Sequence, residues 1–186
     1  MFFRFLAYVF TGWLLMAAVS GLAPVLHLSI VLPATTAILL THLAFSDAGD
    51  LHWGLGIAVT LGYLEDLHQG APIGLLCLVH ALAWLVVYLA ARRFTLVGPA
   101  SRIFAATMVA GGIDLLTYIM LIALAEPLGF TTDALNAAWL HVGWHLVGTA
   151  FFVPAVWLLA DKFSSVLDEL LHREPLTVDG GRRMMS

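Results

Sequence analysis

Six apolar runs fill most of this 186-residue chain, and they constrain its fold more than any other feature. Each run approaches or exceeds the roughly 17 to 25 helical residues that cross a hydrocarbon core of about 30 Å. The runs cover residues 5–26, 28–45, 51–67, 73–91, 103–125 and 138–160. They predict an all-α membrane protein in which residues 1–160 form one domain of six transmembrane helices.

Composition supports this class and excludes others. Hydrophobic residues make up 61% of the chain and charged residues 11%, and the mean hydropathy is +0.96, which is typical of an integral membrane protein. With 8 Lys and Arg against a net charge of −4, the chain lacks a basic surface for nucleic acid. Cys77 is the single cysteine, so an intramolecular disulfide is impossible.

The basic residues predict the direction of the chain in the membrane. With six crossings, every Lys and Arg falls on the side of the two termini, which the positive-inside rule assigns to the cytoplasm. These residues are Arg4, Arg92, Arg93, Arg102, Lys162, Arg173, Arg182 and Arg183. The outer loops are then short and lie near His27, 65–72 and 126–136. The first run exceeds the length of a usual signal peptide, so we interpret it as a retained span.

The two ends of this domain have their own predictions. The first two runs are joined so tightly, near Pro24 and Pro33, that they predict a helical hairpin. Residues 161–186 follow the sixth run, and apolar residues recur at helical spacing within 161–173. This pattern predicts an amphipathic helix that lies along the cytoplasmic surface or extends the sixth span, followed by a loose tail.

Polar residues cluster at the end of the third run, in the stretch GYLEDLHQGAPIG of residues 62–74. We expect a rigid turn in which Asp66 accepts hydrogen bonds from free N–H groups of the next helix. Pro72 is expected in the first turn of that helix. Gly70 and Gly74 form a small-xxx-small pair, which allows another backbone to approach closely.

Four further polar residues lie inside apolar runs and form a possible intramembrane site: His80, Asp114, His141 and His145. Asp114 falls near the middle of the fifth span, where an isolated carboxylate is costly, so it requires a partner. Thr117, Tyr118 or a histidine on another helix are the candidates. A proton or ligand site is the alternative to a purely structural hydrogen bond.

His141 and His145 are four residues apart and share one helical face. Interhelical hydrogen bonding and metal binding are both open for this pair, although the Glu of a His-Glu-x-x-His motif is absent. No metal or other cofactor is predicted. Cys77 is expected to be an inert core residue, and no serine nucleophile with a base partner is evident.

The spacing Gly62-x-x-x-Asp66-x-x-x-Gly70-x-x-x-Gly74, between two hydrophobic spans, resembles the signature of MreD, a rod-shape-determining membrane protein of bacteria. The resemblance implies a fold similar to the S-component of energy-coupling-factor transporters. It also implies a non-enzymatic scaffold in the inner membrane that binds MreC and, through it, RodA and a penicillin-binding transpeptidase. Gly62, Asp66, Gly70, Pro72 and Gly74 would then form the structural motif.

The intramembrane Asp114 and the histidine pair are not part of that resemblance. They support an alternative, in which the chain is a subunit of a membrane transporter that binds a small molecule such as a vitamin or a metal. An intramembrane hydrolase is a third hypothesis, but it requires an activated nucleophile or a metal-bound water.

Overall fold

The computed structural model describes residues 2–25, 33–46, 50–69, 71–128, 136 and 139–172. The described residues form six α-helices and no β-strand, which confirms the expected all-α class. The helices are α1 (Phe2–Val25), α2 (Thr35–Phe45), α3 (Leu51–Gln69), α4 (Leu75–Ala91), α5 (Gly98–Leu128) and α6 (Val142–His172). Residues 26–32, which include the expected hairpin turn, and the tail from 173 onward lie outside the described residues.

Two of these helices have the length and composition of a membrane span. They are the stretches Gly98–Ala125 in α5 and Val142–Val166 in α6. Phe5–Gly21, Thr35–Phe45 and Leu75–Ala91 are apolar helical stretches of 17 residues or fewer. α6 is continuous to His172, so the amphipathic segment extends the sixth helix.

The short helix α2 lies at the centre of the fold. All its residues from Thr35 to Ala44 are buried, and α2 contacts each of the other five helices. Its 11 residues span about 16 Å, which is shorter than the second span predicted over 28–45, of which 28–32 lie outside the described residues. The helix begins two residues after Pro33, and the Ala34 N–H donates to Thr149 Oγ1 of α6 at 2.9 Å.

The surface of the bundle is much more apolar than that of a water-soluble domain. Large apolar side chains are exposed on α1 and on α3 to α6. Between the helices an apolar core also contains seven buried polar side chains: Thr35, Thr36, Thr41, His42, Asp66, His80 and Thr149. An apolar exterior, with polar side chains placed between the helices where they find partners, is the arrangement expected in lipid.

The basic side chains of the described residues gather at one end of the bundle, which we call the basic end. It contains Arg92, Arg93, Arg102 and Lys162. There His42 Nε2 lies 2.8 Å from Asp161 Oδ1, and Arg102 Nη1 lies 4.0 Å from Asp161 Oδ2. Sequence analysis did not identify this His42–Asp161 pair, whose members are 119 residues apart.

Candidate functional site

Asp66 joins the end of α3 to the start of α4. Its Oδ2 accepts a hydrogen bond from the Gly74 N–H at 2.8 Å, and its Oδ1 accepts one from the Leu76 N–H at 2.9 Å. The Cys77 thiol approaches Oδ2 at 3.6 Å. Asp66 is 1% exposed, so it caps α4 from within the protein. The hydrogen bonds expected for Asp66 are therefore present, and they satisfy free N–H groups of the helix start.

Gly62, one turn before Asp66, allows α3 and α4 to approach closely. A Cβ atom built on Gly62 would lie 2.5 Å from the carbonyl oxygen of Leu76 and 2.9 Å from the Cα of Cys77. Both atoms belong to the backbone, which cannot move away as a flexible side chain can. Only glycine fits at this crossing, next to the N–H groups that Asp66 caps.

The remaining motif positions differ from the expectation. Gly74 has a φ of +95°, and an added Cβ would meet nothing within 4 Å, so this glycine supplies a left-handed conformation and not a close approach. Pro72 precedes α4, and its carbonyl accepts the Leu75 N–H at 3.0 Å. The expectation that Pro72 lies within the first helical turn is therefore wrong by three residues. Gly70 lies outside the described residues.

Glu65, the neighbour of Asp66, belongs to a separate polar cluster that ties α3 to α2 and α4. The Thr36 hydroxyl donates to Glu65 Oε2 at 3.0 Å, and His80 Nε2 lies 3.1 Å from the same oxygen. Gln69 Nε2 donates to Glu65 Oε1 at 2.7 Å. The resulting cluster, Thr36–Glu65–Gln69–His80, leaves the His80 side chain 0% exposed.

The hydrogen bonds of His80 define where a proton must lie. Nδ1 is 2.8 Å from the Leu76 carbonyl oxygen, which can only accept, so Nδ1 carries a hydrogen. Nε2 lies 3.1 Å from Glu65 Oε2 and also 3.1 Å from Thr36 Oγ1, so it can donate to Glu65 when protonated or accept from the Thr36 hydroxyl when it is not. His80, Glu65 and Thr36 therefore form one hydrogen-bonded group that joins three helices.

Asp114 pairs with a histidine of another helix, which was one of the three expected alternatives. His145 Nδ1 lies 2.9 Å from Asp114 Oδ2 and joins α6 to α5. Thr117 is not the partner, because its Oγ1 is buried without any hydrogen bond to the described residues. Tyr118 is not the partner either, since its hydroxyl donates to Asn136 Oδ1 at 2.7 Å.

A cavity of about 570 Å³ lies between α1, α3, α5 and α6, with the start of α2 beneath it. Three of the four residues of the expected intramembrane site line it: Asp114, His141 and His145. His80 is not among the lining residues, because it is buried behind Glu65. Glu65 lines the cavity in its place, so the cavity has a carboxylate on α3 and another on α5.

The described residues contain no group of three or more His, Cys, Asp or Glu side chains arranged to hold a metal ion. Cys77 contacts Asp66 and not His80. The chemistry available at the cavity is therefore hydrogen bonding, charge pairing and proton binding by Glu65, Asp114 and the histidines.

Sequence reasoning missed the role of Glu65 and Thr36. Their contact joins positions 29 residues apart, and no helical or turn spacing relates them. The one available signal was a second carboxylate, next to Asp66, at the end of an apolar helix, where a charge needs a partner.

No protein-family model matches the chain, and no curated protein and no solved structure is significantly similar to it. Function is therefore inferred from the geometry and from the motif at the start of α4.

Proposed function

We propose that this chain is a non-enzymatic scaffold of the bacterial cell-elongation machinery, similar to MreD. It crosses the inner membrane six times with both termini in the cytoplasm. It binds the transmembrane helix of MreC, which links it to RodA and a penicillin-binding transpeptidase. In this role it helps to regulate peptidoglycan synthesis.

The surface of the bundle supports the membrane part of this proposal. Exposed apolar side chains occur on five of the six helices, whereas Asp66 is hydrogen-bonded in the interior and Glu65 is hydrogen-bonded between helices. The described Lys and Arg side chains lie at the basic end, which by the positive-inside rule faces the cytoplasm. α2 is too short to cross the hydrocarbon core alone. Because it is buried among five other helices, its ends contact protein and not lipid, so it does not need the length of a lipid-exposed span.

The single observation that carries the scaffold proposal is the joint between α3 and α4. Gly62, Asp66 and Gly74, which carry the resemblance to MreD, supply respectively a close helix crossing, a buried cap and a left-handed turn. These are three different structural tasks at one place, and none of them is catalytic. A motif of this kind fixes the relative position of two helices, as expected in a protein that presents a rigid surface to a partner helix.

Co-purification tests the scaffold proposal. The tagged chain is extracted in mild detergent from bacteria that express MreC of the same organism, and we expect MreC in the eluate. The Asp66→Ala variant, in which the joint is broken, should recover less MreC per folded molecule than Asp50→Ala, which alters an exposed carboxylate at the other end. Recovery of the folded wild-type chain without MreC would contradict the proposal.

The cavity favours a second candidate function, a transporter subunit that binds a small molecule. A volume of about 570 Å³ falls within the usual range for small-molecule sites. Asp114 and His145, which sequence analysis assigned to a possible ligand site, line it together.

A further inference from the structure

Glu65 lines the cavity, His80 is buried behind it, and one hydroxyl lies within reach of both. Thr36 Oγ1 is 3.0 Å from Glu65 Oε2 and 3.1 Å from His80 Nε2. These two atoms are themselves 3.1 Å apart. The other ring nitrogen, Nδ1, donates to the Leu76 carbonyl oxygen at 2.8 Å, which fixes Nε2 toward the other two atoms. Three polar atoms from α2, α3 and α4 therefore form a triangle, and the number of hydrogens in it decides which contacts are attractive.

When Nε2 of His80 is protonated, all three atoms of the triangle have a partner. Nε2 donates to Glu65 Oε2, and the Thr36 hydroxyl donates to the same oxygen, which has lone pairs for both. The contact between imidazolium and carboxylate is charge-assisted, so it is stronger than a neutral hydrogen bond. In this state the three helices are tied together at one point.

Without that proton, Nε2 and Oε2 are both acceptors, and the Thr36 hydroxyl has a single hydrogen to give. One of the two acceptors then has no donor among the described residues, which is costly for a buried atom. The His80 side chain is 0% exposed and cannot turn to water. Glu65 lines the cavity, and its Oε1 already accepts an exposed hydrogen bond from Gln69 at 2.7 Å. The carboxylate is therefore the partner that can leave.

The charged groups around the triangle do not replace the missing proton. Asp66 faces His80 from α3, but its two oxygens accept backbone N–H groups at the start of α4. His145 of α6 faces Glu65 and is paired with Asp114 of α5 at 2.9 Å. The described part of α2 contributes the hydroxyl and no titratable side chain to this contact. The proton on the pair thus controls whether Glu65 and His80 attract each other.

We propose that Thr36, Glu65 and His80 form a proton-operated latch between α2, α3 and α4. With the proton bound, Glu65 is held against His80. Without it, the Thr36 hydroxyl donates to His80, and the Glu65 side chain turns into the cavity, where water solvates it. The latch adjoins Asp66, so its state acts on the end of α3 that carries the joint to α4. The latch is independent of both candidate functions, and failure of MreC to co-purify would leave it standing.

Solid-state NMR of the full chain in lipid bilayers, labelled with 15N-histidine and 13C-glutamate, tests the latch. The His80 signals are identified by their absence from His80→Leu. At about pH 5.5 we expect a protonated Nε2 and a dipolar contact between Nε2 and the Glu65 Cδ carbon. At about pH 9 we expect an unprotonated Nε2, a protonated Nδ1 and loss of that contact. A contact that is equally strong at both pH values would overturn the proposal, and so would a single protonation state of Nε2 throughout.

The Glu65→Gln variant supplies the missing hydrogen without a proton from solution. Its amide group can donate to unprotonated Nε2, so with 13C-glutamine as the label the contact should persist at both pH values. Loss of the contact at about pH 9 in this variant, as in the wild type, would contradict the latch. Asp50→Asn, which alters an exposed carboxylate at the basic end, should lose the contact as the wild type does. If Glu65→Gln does not fold, the wild-type measurement alone decides the proposal.

Discussion

A buried carboxylate that accepts two backbone N–H groups stabilises a fold more than an exposed cap does, because its loss leaves both donors without water. At the scale of single residues, Asp66 is such a group. We expect Asp66→Ala to lower the free energy of unfolding by about 2–4 kcal/mol, measured by SDS-induced unfolding in detergent micelles.

The matched control for Asp66 is Asp50→Ala. Asp50 Oδ1 accepts the His52 N–H at the start of α3, at 3.0 Å, but this contact is exposed. Its loss should cost about 1 kcal/mol. Equal losses for the two variants would show that burial of the Asp66 cap does not matter.

His80 Nε2 and Glu65 Oε2 lie 3.1 Å apart, and the His80 side chain is 0% exposed, so the contributions of the two residues to stability should be strongly coupled. A double-mutant cycle with Glu65→Gln and His80→Leu should give a coupling energy of about 1–3 kcal/mol. The reason is that removal of either partner leaves the other buried without its counterpart. SDS unfolding at one fixed pH measures each corner of the cycle.

The exposed pair Asp50–His52, with 3.6 Å between Asp50 Oδ1 and His52 Nδ1, provides the control cycle. Screening by water should make its coupling much smaller than that of Glu65 and His80. Additive effects of Glu65→Gln and His80→Leu would contradict a direct interaction between the two side chains.

Some side-chain roles could be predicted from sequence and others could not. The role of Asp66 was predictable because the N–H groups that donate to its carboxylate lie close to it in the sequence, where one helix turns into the next. The partner of Asp114 was predictable only as a set of alternatives, since a carboxylate in an apolar helix requires a donor but does not specify it. His80 was expected at the ligand site, but it contacts Glu65. The sequence could not predict this contact, because residues on separate helices have no characteristic spacing.

At the scale of helices, the crossing of α3 and α4 depends on Gly62. Gly62→Ala would place a methyl group 2.5 Å from the Leu76 carbonyl oxygen, so the two helices must separate or distort. We expect a loss of about 2–3 kcal/mol in unfolding free energy, as found for overpacked cores. SDS unfolding of the purified variant measures it.

Gly112→Ala is the matched control on α5, where an added Cβ meets nothing within 4 Å. Alanine is the better helix former, so this variant should be neutral or gain less than about 1 kcal/mol. Gly62→Ala as stable as Gly112→Ala would show that the crossing tolerates a side chain.

The apolar runs predicted the order of the helices but not the length of α2. Hydropathy measures how apolar a segment is, and it is high both for a span exposed to lipid and for a helix buried by protein. The burial of Thr35 and Thr36 depends on acceptors from other helices, which only the tertiary fold reveals. Pro33 marks the break, because a proline cannot donate the N–H of a continuous helix.

At the scale of the whole molecule, the distribution of charge distinguishes the two ends of the bundle. Arg92, Arg93 and Arg102 lie at one end, whereas Glu65 and Asp66 lie at the other, beside the cavity. In a membrane this asymmetry sets the orientation, because basic segments remain in the cytoplasm. The cavity would then lie in the outer half of the protein, where a small molecule enters without crossing the lipid core.

Cysteine labelling tests this orientation at two exposed positions, in a background in which Cys77 is replaced by alanine. Val97 between α4 and α5 is 83% exposed, and Leu140 before α6 is 79% exposed. With α5 crossing between them, Val97→Cys should react with a membrane-impermeant maleimide only in inverted membrane vesicles, and Leu140→Cys only in intact spheroplasts. Reaction of both positions from the same side would mean that α5 does not cross, and the reverse pattern would place the basic end outside. Either result would contradict the six-crossing arrangement with cytoplasmic termini.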